Sequence, residues 1–163
     1  MTPRAGRDVV SKREFLERVR GSRAELNEAV SGLTEDQITH DIVAGEWTVK
    51  DVLAHLAAWQ IEALRCIERA GQGEDIGPLI AESVDEWNHR RVEERRRLPL
   101  VDVMQEFNEA HDQLMAALEQ WPDDHAPLGP AGWDEDCRLW WLTEHDREHL
   151  DAIHAYRRRT ATA

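Results

Sequence analysis

Residues 48–70, TVKDVLAHLAAWQIEALRCIERA, contain neither proline nor glycine, and Val49, Val52, Leu53, Leu56, Leu64 and Ile67 recur along one line at the period of a helix. A stripe of that length is buried only against other elements of similar length, so this one helix constrains what the rest of the chain can be. Helical partners are present. Ser11 and Glu14 have the S-x-x-E form of a capping box, and Phe15, Val19, Leu26 and Val30 follow at helical spacing up to Ser31-Gly32. LTEDQ reads as a short turn of helix before the loop HDIVAGE; Thr48 with Asp51 then caps the long helix, and Gly71 ends it. Pro78 can open a third helix through LIAESVDEWNHRRVEERRR, which Leu98-Pro99 interrupts. A further helix, Leu100 to Trp121, carries Val103, Phe107, Leu114 and Leu118 on one face, and Pro122 halts it. After the Pro/Gly/Asp-rich loop PDDHAPLGPAGWDED a last helix is expected from about Cys137 to Arg159. No alternating apolar–polar run is bounded by hairpin turns. The pattern predicts an all-α chain, an up-down four-helix bundle, forming a single domain over residues 11–159 behind a leader of residues 1–10.

A chain of 163 residues buries roughly two thirds of its unfolded surface, so folding requires neither a metal nor a disulfide. Cys66 and Cys137 lack any CxxC spacing, which suits a reducing, cytoplasmic setting, and no apolar stretch is long enough to cross a membrane. The net charge of −13 leads to the expectation of no nucleic acid and no anionic membrane among the partners. Arg95-Arg96-Arg97 and Arg157-Arg158-Arg159 read as solvated helix ends, where cations complement the dipole.

Chemistry concentrates in TEHDREHLDAIH, residues 143–154. At about 100° per residue, with Leu142 as origin, His145 and His149 fall within roughly 60° and 20° of the line shared by Ile153 and Tyr156, while His154 falls on the far side. An HxxxH pair one turn apart can converge on one cation, or can be two hydrogen-bonded histidines at a bundle end. His55, at the margin of the 48–70 stripe beside Val52 and Trp59, is the candidate third ligand, because catalytic metal sites commonly use three protein ligands and keep one position open. His111 also faces inward, as a fourth ligand, a proton carrier or a core histidine. Asn88 and Trp47, Trp59, Trp87 and Trp141 are candidate pocket walls, or simply core anchors. No GxSxG elbow is present. Gly71-Gln72-Gly73 lacks the strand and the GK[ST] ending of a phosphate loop.

The segment GEWTVKDVLAHLAAWQ, followed some ninety residues later by TEHDREHL, resembles the DinB-like superfamily of four-helix-bundle proteins. That superfamily includes thiol-dependent S-transferases, mycothiol-dependent maleylpyruvate isomerases and the ClbS/DfsB branch, and the likeness spans about residues 11–159. Trp47, Thr48, Asp51 and His55 match its W-[ST]-x-x-D-x-x-x-H element, and His145 and His149 its HxxxH. The resemblance implies a divalent metal, Zn²⁺ or Ni²⁺, on His55, His145 and His149. It also implies hydrolysis or low-molecular-weight-thiol transfer on a small electrophile, and a homodimer. His111 and Glu148 are then the candidate general bases, and Arg65 or Arg90 the candidate cations for the carboxylates of a thiol. DEWNHRRVEERRRLPLVDVMQEFNEAHDQL is similar to the ClbS branch, which implies the alternative of a non-catalytic resistance protein that sequesters a reactive compound.

Overall fold

In the computed structural model of the chain, residues 10–129 and 132–161 are described. Helix α1, Lys12–Val30, starts where Ser11 Oγ accepts from the Glu14 amide and the Glu14 carboxylate accepts from the Ser11 amide at 2.8 Å. Helix α2, Glu35–His40, repeats this box with Thr34 and Gln37, and α3, Val49–Gly71, repeats it with Thr48 and Asp51. Helices α4, Val84–Arg96, and α5, Leu100–Gln120, follow. A 3-10 turn at Trp140–Thr143 leads into α6, His145–Glu148, and α7, Leu150–Ala161.

The all-α expectation holds, with three local departures. HDIVAGE is not a plain loop: β1, Ile42–Ala44, and β2, Trp47–Thr48, pair antiparallel through a turn in which Gly45 takes φ +56°, a hairpin too short to leave a period-two signature. Helix α4 begins six residues after Pro78, because Ser83 supplies the cap by accepting from the Glu86 amide. The expected single helix from Cys137 is broken. Thr143 Oγ1 donates back to the Trp140 carbonyl at 2.8 Å, and the Arg147 amide donates to Ser22 Oγ of α1 at 3.0 Å, away from the helical ladder. Of the expected leader, residues 1–9 lie outside the described residues and Val10 is buried.

Helix α3 packs against α5 on one side and α4 on the other, and α1 packs against α5, α6 and α7. Helix α4 is a cover rather than a full bundle member, burying only Trp87 and Val92. The apolar interior forms two clusters. One surrounds Phe15, Val19, Cys66, Leu114, Trp133 and Leu142, and the other Leu26, Val52, Leu56, Phe107, Leu150 and Ile153. Between them, at the same level on four elements, lie Ser22 and Arg23 of α1, Gln60 of α3, His111 of α5 and Asp146 of α6. This polar waist crosses the bundle next to the histidines. Cys66 and Cys137 are buried free thiols. Among the described residues no helix is long and apolar enough to cross a membrane.

Candidate metal centre

His55 projects from α3, His145 opens α6, and His149 sits at the break between α6 and α7. Each offers a ring nitrogen within 4.8 Å of the others, and Nε2 of His55 lies 3.0 Å from Nε2 of His145. Zn–N bonds near 2.0–2.1 Å in tetrahedral or facial geometry place two nitrogens about 2.9–3.4 Å apart, so this spacing suits a shared ion. The rings stand edge-on, with centroids 5.0 Å apart for His55 and His145, 5.1 Å for His55 and His149, and 5.5 Å for His145 and His149.

The charge state fits as well. Burial pushes His55 down to about 2, helped by the two neighbouring imidazoles and opposed by the Asn88 side chain. Burial takes His145 down to about 3, with His149 adding to it, and it lowers His149 against the pull of Asp146. Above about pH 4 His55 and His145 therefore present lone pairs rather than positive charge. Ligating histidines usually donate their second ring N–H to a partner, yet Nδ1 of His55 and of His145 has none among the described residues. Ring packing holds them instead: Trp47 lies 4.9 Å from His55, and Trp141 lies 5.3 Å from His145.

The three histidines line a cavity of about 460 Å³ together with Trp47, Trp59, Trp141, Asn88, Glu148, Leu79 and Val84. Four of the expected pocket residues, Trp47, Trp59, Asn88 and Trp141, are thus on its wall, as is Glu148. Asn88 Oδ1 accepts from Trp59 Nε1 at 2.8 Å. Trp87 is one step removed: 3 % exposed, it packs on Trp59 with centroids 4.4 Å apart and does not line the cavity. Leu79 and Val84 escaped the sequence reading because they fall where Pro78 points to a regular helix.

His111 does not reach this cavity. It lies in the polar waist, where burial and then the Arg23 guanidinium push it down to about 4 against Asp146 and Asp112, with Arg20 also lowering it. Nor does either expected cationic partner of a thiol line the cavity: Arg65 pairs with Glu62 at 2.6 Å, and Arg90 with Glu82 and Glu94.

The His111 shift has a measurable consequence. Below pH 6.5 the unfolded chain protonates this ring, whereas the folded chain does so only near pH 4, so acid favours unfolding across that window. Urea titrations of metal-free protein between pH 6 and 4.5 should show His111→Leu lowering the pH dependence of stability by about 1 kcal/mol per pH unit. An unchanged slope would place the ring in solvent.

Comparison with known proteins fits this geometry. The family described as the mycothiol maleylpyruvate isomerase N-terminal domain matches residues 19–157. A protein of Geobacillus kaustophilus (strain HTA426), "Putative metal-dependent hydrolase GK0616", is 31% identical over 156 residues, covering 90% of this chain and 84% of that one. Two solved structures share the fold. The colibactin self-resistance protein ClbS, in complex with dsDNA, superposes with a TM-score of 0.76 at 13% identity over 89% of this chain and 94% of its own. The sibling lethal factor precursor DfsB superposes with a TM-score of 0.74 at 12% identity over 93% of this chain and 97% of its own.

The ClbS complex corrects the exclusion of nucleic acid drawn from net charge, since a bundle of this architecture has been seen holding a duplex. The exclusion failed physically because net charge is a sum over the surface, whereas phosphate contacts depend on how cations are placed locally. With a match over most of its length and a relative above 30% identity, the chain belongs to the mycothiol maleylpyruvate isomerase N-terminal domain family, within the DinB-like superfamily.

Proposed function

We propose that this protein is a divalent-metal-dependent hydrolase in which His55, His145 and His149 hold Zn²⁺ or Ni²⁺ at the floor of the indole-walled cavity. The observation that carries the reading is the convergence of three uncharged imidazoles, from distant parts of the sequence, on one point that opens into a cavity of about 460 Å³. The ion, when bound, supplies a Lewis acid. Trp47, Trp59 and Trp141 flank the apolar body of a small electrophile, and Asn88 contributes an amide to its polar end. Among the described residues Glu148 is the one carboxylate that lines the cavity, and it accepts the proton of an attacking water.

Hydrolysis is favoured over thiol transfer because the cavity wall holds no lysine or arginine among the described residues to neutralise the carboxylates of a low-molecular-weight thiol. Residues 11–159 act as a single domain, and the two free cysteines support a cytoplasmic setting.

One observation favours a second reading, a non-catalytic protein that sequesters a reactive compound: the 3.0 Å contact of His55 Nε2 and His145 Nε2 can be a simple hydrogen bond between neutral rings. Chelation separates the two. Turnover of uncharged aromatic esters, amides or epoxides by protein purified without a nickel column should stop on dialysis against a chelator and return with one equivalent of Zn²⁺ or Ni²⁺. Stoichiometric protection unaffected by the chelator would establish sequestration and end the hydrolase reading.

A further inference from the structure

The HxxxH pair is not supported by a continuous helix. Helix α6 is four residues long, and His149 lies at the break before α7. So short a helix does not hold its own orientation in isolation. Helix α1 holds it instead, at two successive residues. Arg23 Nε donates to Asp146 Oδ2 at 2.6 Å, Ser22 Oγ accepts from the Arg147 amide at 3.0 Å, and the Arg147 guanidinium forms a two-point pair with Glu25 at 2.8 and 2.9 Å.

The Arg23 guanidinium also reaches the helix that carries His55. Arg23 Nη2 donates to Gln60 Oε1 at 2.9 Å, and Gln60 Nε2 in turn donates to Asp146 Oδ1 at 3.4 Å. Arg23 Nη1 donates to the Phe107 carbonyl at 3.2 Å, and the guanidinium lies 3.6 Å from the Phe107 ring centroid. Arg23, Gln60 and Asp146 are 4, 2 and 3 % exposed. His55 and Gln60 share α3, and His145 and Asp146 are adjacent, so the closed loop Arg23–Gln60–Asp146 joins the two halves of the histidine cluster from the protein side.

We infer that Arg23, Gln60 and Asp146 are positioning residues for the metal centre, fixing the separation of His55 from His145 and His149. The inference rests on the proposal that those histidines hold a metal. With Nδ1 of His55 and His145 lacking acceptors, the loop takes the orienting role that direct acceptors of the ligand N–H groups play elsewhere, and loss of such support typically weakens metal binding 10–100-fold.

The test uses the full chain and two variants. Gln60→Met removes the bridge while keeping side-chain length, and Arg23→Met/Asp146→Leu removes both buried charges together, so the double variant decides the matter should the single one fail to fold. Zn²⁺ affinity is measured by chelator competition, the ligand field by the visible spectrum of Co²⁺-loaded protein, and folding by circular dichroism. Folded variants that bind Zn²⁺ at least about 10-fold more weakly, with an altered Co²⁺ spectrum, are the expected result. Wild-type-like affinity and spectrum in a folded variant would overturn the positioning role while leaving the metal site standing. A wild-type chain that binds no Zn²⁺ or Co²⁺ would instead overturn the metal site itself, and the positioning role with it.

Discussion

The double variant His55→Leu/His145→Leu is expected to bind no metal and yet to be more stable than the metal-free parent by about 1–2 kcal/mol. In the parent His55 is buried and His145 half-buried, the Nδ1 atom of each is buried and unpartnered among the described residues, and an unmade hydrogen bond on a buried polar atom costs about 1–3 kcal/mol. Leucine is close to histidine in volume and has no polar atom to satisfy. Changing both removes the 3.0 Å contact symmetrically, without stranding one partner as either single change does. Saturating metal reverses the order, since ligand at 100 times its dissociation constant adds about 2.7 kcal/mol to the parent and nothing to the variant. His149→Ala should weaken binding by on the order of 100-fold or more, because a three-ligand site loses a third of its donors. Urea titrations with and without Zn²⁺, set beside elemental analysis, read both effects. A double variant less stable than the metal-free parent would mean that the imidazoles serve packing rather than an ion.

That opposition between stability and chemistry is also why the histidine cluster is legible in the sequence while its supports are not. Ser11-x-x-Glu14 and Thr48-x-x-Asp51 mark helix starts because a cap is a local interaction within four residues. His55, His145 and His149 stand out because imidazole on an apolar line breaks the pattern of its own helix. Arg23 and Gln60 break the pattern as well, but on a helical wheel a long polar side chain near an apolar stripe looks like one that reaches solvent. Only contacts across 123 residues in one case and 37 in the other show that they turn inward. The interruption between the 3-10 turn and α6 is hidden from the sequence for the same reason: Ser22, which takes the Arg147 amide, lies 125 residues away. That His111 faces inward is legible but its distance from the cavity is not, because a wheel gives the angle around a helix and not the level along it. At its level the bundle holds the polar waist of Arg23 and Asp146.

The waist gives the second large effect. Arg23→Ala or Asp146→Ala alone should destabilise the metal-free protein by about 3–5 kcal/mol, since each leaves a buried charge without its partner at positions 3–4 % exposed. Arg23→Met/Asp146→Leu should cost far less than the sum of the two single changes, and on balance can raise stability, because it joins the two apolar clusters through the level where they are now separated. Thermal or urea unfolding of the two single alanine variants and of the apolar double variant reads this directly. A double variant as damaged as the sum of the single ones would mean that the charges act independently, for instance through the Phe107 carbonyl that Arg23 also reaches. If the double variant is stable but poor at holding Zn²⁺, the fold does not need its polar waist. The waist then serves the geometry of the histidines beside it, and a buried Arg–Asp pair in a helical bundle becomes a mark of a functional site rather than of stability.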